Sequence, residues 1–308
     1  MIIRAYILHL TKIILLIKKT MNLPFYIVDV FAENKYAGNQ LAVFLTVGNI
    51  VEAKEMQQIA REINFAESTF ITKLDSQNNI AEVRIFTPEK EMQFAGHPII
   101  GTSWVLMNKI FQNQPKNIAL QVPIGEIPIH ESENLIWLKA AQPKFWDTFS
   151  KNDFELFSNL KSEDFEDKYP IQEVTTGSAF VIVPLKNKKA LENLVLDKDK
   201  TDKWLKANCK TNHRALYFYY LEESKIISRM LCVENNQLVE DAATGSASTC
   251  LQAFLLKYHS DKIKTINYQG DYIQRPSQIY FNGKRSKDNF EIEIGGKAQF
   301  VAAGEWEV

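Results

Sequence analysis

The chain has 308 residues, 45% hydrophobic and 24% charged, enough for a substantial core and unlike a mainly disordered protein. Lys and Arg number 36 against 37 Asp and Glu, which leaves no cationic surplus of the kind a dedicated nucleic-acid binder carries. Three cysteines, Cys209, Cys232 and Cys250, with no CxxC pair, argue against a disulfide framework or a zinc ribbon and fit a reducing, cytoplasmic setting.

At about 150 residues per domain, the length allows one large domain or two lobes. The first twenty residues stand apart: Arg4, Lys12, Lys18 and Lys19, no acidic residue, and many Ile and Leu. Without them the balance is 32 basic to 37 acidic residues. His9 and Lys12 interrupt the apolar run, which is too short for a transmembrane helix, and no small-residue cleavage site follows. We expect residues 1–20 to be an upstream extension or a misplaced start; a peripheral amphipathic segment and a targeting segment are the alternatives.

Phe25 to Phe31 is aromatic and β-branched and predicts a strand. A turn at Lys35 to Asn39 leads to a second strand at Leu41 to Phe44, and Val51 to Ile63 carries apolar residues at helical spacing. Ser68 to Thr72 and Ala81 to Phe86 read as strands, and Gly96-His97-Pro98 opens a strongly apolar helix, Ile99 to Ile110. The weakest joint is Asn113 to Gly125, before a new run of strands. Strands at Phe180 to Val183, Ala215 to Tyr220 and Ile226 to Val233 follow, and Thr244-Gly245-Ser246 opens another apolar helix, Ala247 to Tyr258.

Both halves thus hold an Arg-bearing strand (Arg84, Arg229), a glycine turn and a helix apolar on nearly every side. Such a helix must be buried all round. The pattern predicts an α/β (α+β) protein of two pseudo-symmetric lobes, each a mixed sheet rolled around a central helix. We assign residues 21–124 and 291–308 to the N-terminal lobe and 125–290 to the C-terminal lobe.

The two glycine turns stand at helix N-termini, where free N–H groups and partial positive charge suit a carboxylate or enolate-like anion. Simple capping by Asp241, Thr244 or Ser246 is the plainer alternative. Glu67, between Phe65 and Phe70, would have its pKa raised by desolvation, as a general base requires; a solvent-facing strand-edge Glu is the alternative. There is no GxGxxG, P-loop lysine, HExxH or GxSxG, so nucleotide, metal and serine-hydrolase chemistry find no support.

The stretches YIVDVFAENKYAGNQLAVF, INFAESTFI, VRIFTPEKEMQFAGHPIIGT, EDAATGSA and QRPSQI around Arg275 resemble, in order, the PhzF-like isomerases of phenazine biosynthesis. The resemblance runs from about Asn22 to Val308. It implies a diaminopimelate epimerase-like fold with the active site between the lobes. It also implies Glu67, His97 and Asp241 as catalytic residues, Gly96, Gly245 and Ser246 as substrate-binding residues, no cofactor or metal, and a homodimer. The family's characterised isomerase moves a proton between carbons of a dihydro-hydroxyanthranilate.

Ala242 replaces the usual Pro of the EDPATGSA-type motif, and Met230 to Val233 replace an aromatic and proline run. Related racemases place a Cys at each helix-terminal turn, where this chain has His97 and Ser246, so a two-thiol mechanism is disfavoured. The expected function is a cofactor-independent isomerase of a small carboxylate-bearing metabolite, cyclic ones included, without nucleic-acid or membrane partners. A racemase or epimerase of an amino or hydroxy acid, or a non-catalytic binding protein of the same fold, are the alternatives.

Overall fold

The computed structural model describes residues 21–210, 215–223 and 225–308. The basic segment at residues 1–20, on which the extension reading falls, lies outside the described residues.

Strand β1 (Asn22–Val30) is the aromatic and β-branched run expected from the sequence. It pairs antiparallel with β2 (Asn39–Leu45). Helix α1 (Ala53–Ile63) buries Met56, Ile59 and Ala60. It starts at a reciprocal Glu52/Glu55 capping box and ends at Asn64, whose φ of 56° is the left-handed conformation that stops helices. The chain returns as β3 (Glu67–Asp75), parallel to β2, then β4 (Ile80–Phe86) and the two-residue β5 (Glu91–Met92).

Helix α2 (Gly96–Val105) is buried at every position except Trp104. Sequence periodicity runs this helix unbroken to Ile110, but the last turn, Leu106–Ile110, is a π-turn. The hairpins of β6 (Asn117–Val122), β7 (Gly125–Ser132) and β8 (Leu135–Lys139) follow.

The second half repeats the plan. After β9 (Lys144–Phe149) and the short α3 (Lys151–Glu155) come β10 (Ile171–Thr175) and β11 (Ala179–Pro184). Helices α4 (Lys188–Glu192) and α5 (Lys198–Asn208) lead to β12 (Ala215–Glu222), parallel to β11. Strands β13 (Lys225–Glu234) and β14 (Gln237–Asp241) precede α6 (Gly245–Tyr258), in which every residue from Ala247 to Leu256 is buried. Strands β15 (Lys262–Gln269), β16 (Ser277–Ser286) and β17 (Asn289–Gly296) close the repeat, and β18 (Ala298–Glu307) returns to β1.

The pairings match one for one. In the first half β2 and β3 are parallel, β3–β4–β5 antiparallel, and β4 parallel to β6. In the second half β11 and β12 are parallel, β12–β13–β14 antiparallel, and β13 parallel to β15. Each half wraps one all-round apolar helix, α2 or α6. This is a mixed α/β architecture of the expected diaminopimelate epimerase-like kind.

Strands β7 and β8 continue the hairpins of β6; β8 packs on α2 of the first half and pairs antiparallel with β17 of the second, so Gly125–Lys139 links the two halves. Strand β17 completes the second repeat, and of residues 291–308 only β18 returns to β1. Among the described residues no helix is long and apolar enough to cross a membrane.

Candidate active site

The two central helices meet start to start. A Cβ placed on Gly96 would lie 3.0 Å from the Ser246 backbone nitrogen and 3.1 Å from the Gly245 Cα. A Cβ there would be tighter than ordinary contact and would push the two backbones apart, so the glycines read from the sequence permit this close approach. Neither helix is capped by a side chain, which removes the capping alternative. The positive ends of both helices therefore converge on one point.

Around that point the structure gathers Glu67, His97 and Asp241. Glu67 begins β3, opposite Leu41 in the parallel register, and its side chain is only 17% exposed, not solvent-facing. Its carboxylate Oε2 lies 3.5 Å from His97 Nδ1. His97 itself is 4% exposed, and its Nε2 is buried without a partner. Asp241 ends β14, four residues before the helix start at Gly245, and its Oδ2 accepts a 2.5 Å hydrogen bond from the Thr244 hydroxyl.

Asn39, at the start of β2, ties the two halves together. Its side-chain amide nitrogen donates to Asp241 Oδ1 at 2.7 Å and to the Ala243 carbonyl at 3.0 Å, and stands 3.3 Å from His97 Nδ1. Sequence reading missed Asn39, treating it as the end of a turn. The loop before it is clamped by Arg275, which donates to Asp29 Oδ1 at 2.6 Å and to the Gly38 and Ala37 carbonyls. Gly38 has φ +67°, and a Cβ there would strike the Val30 carbonyl at 2.3 Å, so this loop requires glycine.

Burial sets the protonation of the cluster. It pushes the Glu67 carboxyl well above its ordinary value, reinforced by the nearby Asp241 and Glu234 carboxyls. Burial also raises Asp241, but the Thr244 and Asn39 hydrogen bonds favour its ionised form and hold it at about 6. His97 is pushed down to about 3 by burial, only partly offset by a hydrogen bond with the Gln40 backbone, so its imidazole is neutral. The site thus pairs two carboxyls of unequal acidity, one from each half, with a neutral imidazole beside one of them. This division between a weaker and a stronger carboxylic acid is the pattern that general acid–base chemistry uses.

A small cleft of about 80 Å³ opens at the helix junction, with Phe94, Ile127 and Leu138 among its apolar walls and Thr176 and Thr249 beside them. Gly96, Gly245 and Ser246 line it, whereas Glu67, His97 and Asp241 do not. Among the described residues no group of three or more His, Cys, Asp or Glu side chains is arranged to hold a metal.

The sequence profile of the phenazine biosynthesis-like proteins matches residues 28–304. An uncharacterised isomerase of Pasteurella multocida is 30% identical over 91% of this chain and 93% of its own length. The trans-2,3-dihydro-3-hydroxyanthranilate isomerase of Pseudomonas aeruginosa is also 30% identical, over 91% of this chain and 98% of its own. Among solved structures, a PhzF-family protein of Bacillus anthracis superposes with a TM-score of 0.81 at 23% identity, covering 93% of this chain and 99% of that one. A hydroxyproline epimerase from Agrobacterium vitis shares the fold at a TM-score of 0.60 and 10% identity, with 93% of each chain covered.

Proposed function

The chain belongs to the phenazine biosynthesis-like family and is an isomerase, and from that premise we propose that it shifts a proton between two positions of a small carboxylate-bearing metabolite. The observation that carries this reading is the convergence of Glu67 and Asp241, one from each half, at the junction of two uncapped helix N-termini.

In this reading the substrate carboxylate, or the enolate it becomes, sits against the backbone of Gly96, Gly245 and Ser246, where both helix ends favour negative charge. Glu67 removes a proton from carbon, the electron pair moves into the adjoining π-system, and the protonated Glu67 returns the proton at a different carbon. A carboxyl whose pKa is raised by burial is a stronger base than an exposed one, which suits this step. Asp241 and neutral His97 orient the polar groups of the substrate and follow its changing charge. A racemase using two thiols would need cysteine at each helix start, where this chain has His97 and Ser246. Cys232 and Cys250 are free thiols, which suits the cytoplasmic setting that belongs to this reading.

The test is proton exchange. The protein is incubated in D2O with a panel of small carboxylates that includes trans-2,3-dihydro-3-hydroxyanthranilate, and each is followed by NMR. The reading expects deuterium at one carbon together with a double-bond shift. Exchange with inversion at a single carbon would make the protein a racemase. Binding without any exchange would make it a non-catalytic binding protein.

A further inference from the structure

Behind Asp241 lies a ladder of buried polar side chains that the proposed reaction does not use. It runs from Ser228 on β13 through Asn267 on β15, Tyr217 on β12 and Gln269 on β15 to Thr244. Apart from Thr244, 7% exposed, its members are at most 1% exposed. We propose that Gln269, held in one orientation by Tyr217, is the positioning residue that keeps the Thr244 hydroxyl aimed at Asp241.

The case rests on the direction of each hydrogen bond. Asn267 Oδ1 accepts from the Ser228 hydroxyl at 2.9 Å, which fixes the Asn267 amide so that its nitrogen donates to the Tyr217 oxygen at 2.7 Å. The Tyr217 oxygen also lies 3.0 Å from the Ser228 and Ser248 hydroxyls. Ser248 accepts from Asn267 at 3.2 Å, which leaves its hydrogen for Tyr217. The Tyr217 O–H then donates to Gln269 Oε1 at 2.9 Å. Burial pushes this phenol up to about 12, so the O–H is present throughout the working range.

Gln269 Oε1 also accepts from the Thr244 backbone N–H at 3.2 Å. Two donors on its oxygen leave the Gln269 nitrogen facing the other way, where it donates to the Asp241 carbonyl at 2.9 Å and the Thr244 hydroxyl oxygen at 3.0 Å. A hydroxyl has a single hydrogen. Because the Thr244 oxygen is occupied as an acceptor from Gln269, its hydrogen is committed to Asp241 Oδ2. Each bond in the chain therefore sets the sense of the next, and the last one favours the carboxylate form.

Without the Tyr217 hydroxyl the Gln269 oxygen keeps a single donor, the Thr244 backbone N–H at 3.2 Å, and the amide is held in this sense only by that bond and the Asp241 carbonyl. In the flipped sense its oxygen accepts from the Thr244 hydroxyl, and Asp241 Oδ2 loses its donor. The other groups that act on Asp241 are Asn39 from β2, the Ala242 backbone N–H and Glu234 from β13, while Glu67 from β3, Cys232 from β13 and His97 from α2 stand in the same cluster. None of them touches the ladder, so they stay constant across the variants below. Tyr219 supplies an internal control. It lies on the same strand, is 1% exposed, and its hydroxyl is buried without a partner.

The inference rests on Asp241 having the role proposed above, but its test does not need turnover. The carboxyl of Asp241 is titrated by NMR in full-length protein labelled with 13C-aspartate, using Asp241→Asn to assign the signal. Tyr217→Phe, Gln269→Leu and Thr244→Val are each expected to raise its midpoint by about one pH unit, the size of one charge-assisted hydrogen bond. Thr244→Ser, which keeps the hydroxyl, and Tyr219→Phe are expected to leave it in place.

An unmoved midpoint in folded Tyr217→Phe or Gln269→Leu would overturn the proposal, as would an equal rise in Tyr219→Phe. If all three ladder variants fail to fold while Tyr219→Phe folds, the ladder is purely structural and the proposal falls. Absence of proton exchange in the wild type with these midpoint shifts intact would refute the catalytic reading and leave the positioning chain standing.

Discussion

Glu67 shows how a single residue can work against the stability of the fold that holds it. Its folded pKa is raised, so the protonated form is the one the native state prefers, and stability is fully present below the unfolded value near 4.5 and is lost as pH rises through the folded pKa. Asp241 acts in the same sense up to about 6. Glu67→Gln keeps the shape without the titration. Its melting temperature is expected to match the wild type below the unfolded value near 4.5 and to exceed it by a margin that grows as pH rises above it. A margin that shrinks with rising pH, followed by calorimetry, would show that Glu67 is held as a stabilised carboxylate instead.

The residues of this site were unequally legible. Glu67, His97, Asp241, Gly96, Gly245 and Ser246 are all brought to one junction, because residue type and the glycine-turn pattern mark them. Asn39 and Gln269 carry no such mark. Their importance lies in the direction of an amide 202 or 28 residues away along the chain from Asp241, which only the folded chain creates.

At the scale of elements, the same device appears in both halves. In the β4–β5 hairpin Arg84 grips Glu91 through two 2.7 Å bonds, and in the equivalent β13–β14 hairpin Arg229 grips Glu240 at 2.6 and 3.1 Å. Each pair staples the short strand that delivers its chain to a helix start. The pairs differ in burial: 28% and 31% exposed in the first, 11% and 8% in the second. Arg229 also donates to the Leu191 carbonyl and stacks 4.7 Å from the Tyr272 ring, so it cannot readily swing out into water.

Glu240→Ala should therefore destabilise by about 3–5 kcal/mol, the effect of leaving one partner of a buried pair alone. Glu91→Ala should lose about 1 kcal/mol or less, as for a solvent-screened pair. Urea midpoints measure both, and equal losses would contradict this ranking.

The two all-round apolar helices were readable from composition alone, because only burial on every side explains them. The π-turn at Leu106–Ile110 was not, since a register change of one residue leaves the apolar pattern intact. Strands β6 to β9 were foreseen only as a run, because short alternating segments such as Gly125–Ser132 expose half their residues and carry weak signals.

At the scale of the whole molecule, two copies of one plan are set with their helix N-termini in contact. That arrangement puts a carboxyl from each copy beside the joined helix starts, and Asn39 bridges Asp241 and His97. Duplication was legible in the paired glycine turns. The hairpins β6–β7–β8 join the copies without any linker of distinct composition.

The central claim is that Glu67 carries a proton between carbons of a bound carboxylate. It is tested most directly by comparing solvent-deuterium incorporation by wild type and Glu67→Gln on whichever carboxylate of the panel the wild type exchanges. A lost general base lowers a rate by about 10² to 10⁴. The account expects Glu67→Gln to bind that ligand with unchanged affinity and to incorporate deuterium at least a hundredfold more slowly, about the lower end of that range. Incorporation within tenfold of wild type would contradict it and pass the proton to another group, with Asp241 the first in line.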